Sequence, residues 1–121
     1  MSNSRVLPMK NGAPATRRER RVAVRYPGNP DAECRTYAPL AGVYAAWVRD
    51  ISTTGVSLLI ACEFEPGAFL TIELQNLEQG ITCVLRARVV HTLEVPPDER
   101  WLHGCEFERP LSDEELQAFA E

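Results

Sequence analysis

The sequence has little of what a catalyst or a metal site requires. It offers two histidines, His91 and His103, and neither has a companion at ligand spacing. The four cysteines, Cys34, Cys62, Cys83 and Cys105, are widely spaced and form no CxxC pair, which argues against a zinc ribbon or a thioredoxin-type site. Cys62, Cys83 and Cys105 sit among apolar residues and read as reduced thiols acting as small core hydrophobes. No Ser/His/Asp order and no phosphate-cradling glycine loop is present. The chain therefore reads as a non-enzyme with no catalytic residue, no metal and no cofactor. No apolar run is long enough to cross a membrane, and the opening MSNSRVLPMKNGAPAT lacks the apolar centre of a signal peptide. These absences predict a cytoplasmic protein without membrane insertion.

What is present is an ordinary globular composition with an uneven charge. The chain has 121 residues, 45% apolar and 25% charged, enough for one domain with a core that needs no metal or disulfide staple. Residues 1–26 carry seven basic side chains against Glu19, a net of +6; the whole chain is −4, so the remainder is −10. A basic arm on an acidic body is a positioned charge. The acidic body argues against wrapping a long nucleic acid and favours a small anion gripped locally.

Residues 1–15 mix Ser, Asn, Pro, Gly and Ala without periodicity and read as a flexible tail; residues 16–121 read as the domain. From Val22 onward the segments are short and β-like. VAVRY is the first expected strand, and the Pro-rich stretch from Pro27 to Ala41 reads as loop. GVYAAWVRDI and GVSLLIAC follow. AFLTIELQNL alternates, with Leu70, Ile72 and Leu74 on one face; ITCVLRARVVHTLEV does the same, with Ile81, Cys83, Leu85, Ala87 and Val89 inward. WLHGCEFE is the last strand. Ser112 with Glu115 three residues on predicts a capping box, and Leu116 and Phe119 would dock the resulting helix. Six strands without an intervening helix predict a mainly all-β fold, a six-stranded antiparallel β-barrel with one C-terminal α-helix.

Two stretches carry the chemistry. In TRRERRVAVRY, Arg17 and Arg21 are four apart, a spacing that lets both guanidiniums converge on either a helix or an extended chain. Arginine presents a flat fork that suits phosphate oxygens and the O6/N7 edge of guanine. In DISTTG, Asp50 and Ser52 would share a strand face, and Gly55 permits a tight turn or a close ligand approach. A carboxylate is a poor phosphate ligand but accepts from the N1–H and N2–H₂ donors of guanine. Together the two stretches imply a guanine nucleotide.

An RxxxR pair before the first strand, Arg17 to Arg21, followed by a D/NxSxxG turn, Asp50 to Gly55, resembles the PilZ domain. The likeness continues in ARVVH, in HGCEF and in the helix after it. The resemblance implies a six-stranded barrel that receives the bacterial second messenger cyclic di-GMP. It implies that Arg17 and Arg21 grip phosphates and guanine edges, that Asp50 and Ser52 read a guanine, and that Gly55 shapes the turn beneath the ligand. Arg18 and Arg20 occupy variable positions of the first motif and would be auxiliary. Ligand would order the like-charged arm across the barrel, and the reshaped surface would then regulate a protein effector in motility, exopolysaccharide or biofilm pathways, from a monomer or a homodimer. The alternative is an interaction module of the same fold without nucleotide binding. Trp47 and Trp101 read as packing residues, and Arg86 and Arg88 as an exposed strand face. Arg25 and Tyr26 are near enough to flank the site, but no spacing ties them to it.

Overall fold

The computed structural model describes residues 23–97 and 99–121. The tail at 1–15 and the arginines Arg17, Arg18, Arg20 and Arg21 lie outside the described residues. The elements are β1 (Tyr26–Pro27), β2 (Glu33–Ala38), β3 (Gly42–Ile51), β4 (Gly55–Ile60), β5 (Phe69–Asn76), β6 (Ile81–Val95), β7 (Arg100–Phe107) and α1 (Asp113–Phe119). Six strands close on themselves in the order β3-β2-β5-β6-β7-β4, each neighbour antiparallel, with β4 pairing back onto β3. Closure removes the open sheet edges that would otherwise invite aggregation.

The expected barrel and helix are observed, but one strand is not the expected one. Among its described residues, 23–26, VAVRY supplies no barrel strand: only Tyr26 pairs, in the two-residue β1 that runs against Asp50 and Ile51. The sixth barrel strand is β2, inside the stretch expected to be loop. The cause is burial. Val24 is 63% exposed and Arg25 and Tyr26 are exposed as well, so the described part of this segment buries no side chain in the barrel. Cys34 and Thr36, by contrast, are buried and alternate with exposed Glu33 and Arg35. The turn formers are used up before that strand begins. Asn29 closes an Asx turn by accepting from the Asp31 amide at 2.9 Å, and its carbonyl accepts from the Ala32 amide at 3.0 Å.

The interior is filled by the inward set of each strand: Ile51, Val56, Leu58, Ile60, Leu70, Ile72, Leu74, Ala87 and Val89 are essentially inaccessible to solvent. The alternation expected for β5 and β6 is observed, with Ile81 only partly covered at the barrel end. Cys83 and Cys105 are buried and Cys62 half-buried, all as free thiols. Trp47 departs from the expectation of a packing residue. It lies on the outer surface, 51% exposed, with the Arg100 guanidinium 4.6 Å from its ring centroid.

Helix α1 begins as expected. Ser112 Oγ accepts from the Glu115 amide at 3.1 Å, and the Ser112 amide donates to Glu115 Oε1 at 2.9 Å. Its far end does more than cover the barrel. Phe119 is fully buried, and Asn76 Nδ2 donates to the Ala118 carbonyl at 2.7 Å. The Phe119 carbonyl accepts from the Asn29 amide at 2.9 Å, and the Glu121 amide donates to the Pro27 carbonyl at 2.8 Å. The short β1 is thus clamped between β3 and the chain that follows α1.

Candidate functional site

The clamp on β1 fixes the residue just before it. Arg25 reaches the outer face of β3 and donates from Nε to Asp50 Oδ1 at 2.6 Å; its Nη2 reaches the same carboxylate oxygen and lies 3.3 Å from Ser57 Oγ. The two side chains are 44% and 31% exposed, so the pair sits at the surface with open sides.

Asp50 faces outward because β3 contains a bulge. Val48 pairs with Leu58 and Asp50 pairs with Ser57, which leaves Arg49 as the extra residue. A strict alternation starting from buried Ala46 would turn Asp50 inward and Ile51 outward. The extra residue resets the phase, so that Ile51 enters the core at 0% exposure and Asp50 emerges beside Ser57.

Ser52 has a different setting. It is fully buried, and its Oγ accepts from the amides of Thr54 and Gly55, both at 3.2 Å. The turn is closed by the Ser52 amide on the Gly55 carbonyl at 2.9 Å. It is braced from behind, where the Thr53 and Thr54 carbonyls accept from Leu111 at 2.8 Å and Phe107 at 2.9 Å. Ser52 therefore holds the shape of the corner, while Asp50 offers the open functional group. The even spacing that predicts a shared face fails because β3 ends at Ile51. Gly55 is buried as well. A Cβ there would stand 2.5 Å from the Cys105 carbonyl oxygen, so the glycine is required by the close approach of β7.

Two further arginines of the barrel wall, both on β6, are paired with acidic side chains. Arg86 meets Glu108 at 2.8 Å and lies 4.1 Å over the Phe69 ring; Arg88 meets Glu106 at 3.5 Å. Both arginines stand on the exposed strand face, as expected. Burial raises the thiols of Cys34 and Cys105 to about 12 and that of Cys83 to about 11, which leaves all three protonated and poor nucleophiles near neutrality. Among the described residues no group of three His, Cys, Asp or Glu side chains is placed to hold a metal ion, and no helix is long and apolar enough to cross a membrane.

The sequence profile of the PilZ domain matches residues 15–121, nearly the whole chain. The chain belongs to the PilZ domain family. PilZ domains act as receptors and adaptors, and the barrel with its C-terminal helix fits that membership. Among solved structures, MrkH of K. pneumonia in its apo state is 21% identical with a TM-score of 0.61, covering 76% of this chain and 45% of MrkH. The K. pneumonia MrkH–c-di-GMP complex is 20% identical with a TM-score of 0.62, covering 80% and 48%. This PilZ chain thus spans less than half the length of MrkH, and the likeness is one of fold. No curated protein matches it significantly.

Of the residues expected at a ligand site, the structure brings Asp50, Ser52 and Gly55 into one corner. Arg17, Arg18, Arg20 and Arg21 lie outside the described residues. Arg25, which the sequence did not assign, contacts Asp50 in this corner. Its one signal was nearness in sequence to the arginine pair.

Proposed function

We propose that this PilZ domain is a cyclic di-GMP receptor that binds the messenger at the Asp50 corner and regulates a protein effector in motility, exopolysaccharide or biofilm control. The observation that carries the reading is a half-exposed carboxylate, Asp50, set at the end of β3 beside a braced turn and already attracting a guanidinium. A guanine offers such a carboxylate two parallel N–H donors. Arg21 stands four residues before Arg25, so an extended chain keeps it within about 14 Å; Arg17, eight residues before, stays within about 29 Å. Both can supply phosphate contacts to a dinucleotide whose base rests on Asp50. Arg18 and Arg20 would add charge. Ser52 and Gly55 would act through the turn they shape. The MrkH–c-di-GMP complex supports the assignment by showing that a protein of this fold takes that ligand.

The test is calorimetric titration of the parent with cyclic di-GMP at two salt concentrations. Micromolar-range binding that weakens as salt rises is expected, because phosphate contacts are screened. Arg21→Ala should weaken binding by about ten-fold or more, the worth of one charge-assisted contact. Asp50→Ala should erode the preference for guanine over adenine cyclic dinucleotides. A parent that gives no heat would leave an interaction module of the same fold without nucleotide binding; a parent that binds both dinucleotides alike would remove the guanine-reading role of Asp50.

A further inference from the structure

We propose that Arg25 is a gate on this site, a built-in competitor that occupies the base-reading oxygen of Asp50 until the messenger displaces it. The inference rests on the cyclic di-GMP reading above and adds the regulation of that same site. Arg25 does not bind Asp50 in the fork-to-fork manner that would use both carboxylate oxygens. Nε and Nη2 converge on Oδ1 alone, and Nη2 also leans toward Ser57 Oγ at 3.3 Å. Paired N–H donors from a guanine edge need both oxygens. The base and Arg25 therefore compete for Oδ1.

The competitor is held in place by the fold. Arg25 directly precedes β1, whose two residues pair with Asp50 and Ile51. On its other side the chain is tied to the end of α1 through the Pro27 and Phe119 carbonyls. The guanidinium is consequently delivered to Asp50 with little freedom to lose, which raises its effective concentration there. The side chain itself is 44% exposed, so it can swing away while the backbone stays anchored. An exposed ion pair is weak, so the gate yields to a multidentate ligand but still subtracts from its affinity. A monodentate carboxylate seeker, such as a free amine, gains too little to open it. The gate thus favours a ligand that brings a paired donor edge together with phosphates.

The experiment compares cyclic di-GMP titrations of the parent, Arg25→Ala, Asp50→Ala and the double variant. Arg25→Ala is expected to bind about two- to five-fold more tightly than the parent, the range an exposed ion pair holds back. That gain should vanish in the Asp50→Ala background, which a merely structural effect of Arg25 would not show. In the parent, the Arg25 Nε–H should give a slowly exchanging nitrogen-15 NMR resonance that is released on adding the messenger and is absent in Asp50→Ala. Unchanged or weaker binding by Arg25→Ala, with the parent binding normally, overturns the gate and leaves the receptor reading intact. No heat from the parent rejects the receptor reading and the gate with it.

Discussion

At the scale of single residues, the corner depends on atoms with no room to spare. Gly55 is the sharpest case. Its missing side chain lets the β7 backbone pass, and a methyl group would stand 2.5 Å from the Cys105 carbonyl oxygen. A backbone atom cannot rotate aside as a side-chain tip can, so one strand must move. Gly55→Ala is expected to lose about 1–3 kcal/mol of stability in urea denaturation, as overpacked sites do. The same variant should lose messenger affinity only in proportion to that disturbance. A clean loss of binding with full stability would instead place the ligand directly on Gly55. Ser52 is structural in the same sense: its hydroxyl satisfies two buried turn amides, and those donors would be left unpaired by alanine. Asp50 alone among the three presents its polar atoms to the outside, and it does so through a bulge that residue spacing does not announce.

At the scale of elements, helix α1 and β1 form one unit that carries Arg25. The helix is only seven residues long and cannot hold itself by propensity. It is held by the Ser112–Glu115 box at one end and by buried Phe119 at the other. Ser112→Ala should cost about 1 kcal/mol. Phe119→Ala should cost about 3–5 kcal/mol and should also loosen β1, seen as faster exchange of the Asn29 and Glu121 amides in the folded protein. Gly28 serves the same unit, since a side chain there would collide with the Val48 carbonyl. This scale also shows what the sequence could disclose. Strands β5 and β6 were legible because their buried residues recur at period two, β3 and β4 because they are runs of apolar, aromatic and β-branched residues, and α1 because it follows a capping signal. The strand β2 was not. Its six residues follow Pro27, Gly28, Pro30 and Asp31, and its inward set of Cys34, Thr36 and Ala38 is too small and polar to stand out. Asp50 was found from its motif, but Arg25 was not, because its partner lies 25 residues away and the meeting depends on how β1 is clamped.

At the scale of the whole molecule, stability should fall on both sides of neutrality for identifiable reasons. His103 is fully buried, its Nε2 accepts from the Phe64 amide at 3.0 Å, and burial pushes its pKa below the ordinary 6.5. The unfolded chain therefore takes up a proton near pH 6.5 that the folded chain refuses, and stability declines as pH drops below that value. A second loss follows lower down. Arg109 donates to Glu115 at 3.0 Å and, with the Ser112 amide, holds its carboxyl at about 2 against an ordinary 4.5. That contribution is complete above pH 4.5 and is lost between there and about 2, although the exposure of Arg109 makes it small. On the alkaline side the buried thiols act oppositely. Cys34 and Cys105 are raised from 9 to about 12, so above pH 9 the unfolded chain sheds protons that the folded chain keeps, and stability falls again. Urea midpoints measured from pH 3 to pH 10 should trace a plateau between about 6.5 and 9. In His103→Asn, the slope between pH 6.5 and 5 should flatten, even if the variant is less stable throughout. A slope that survives that substitution would place the acid sensitivity elsewhere in the barrel.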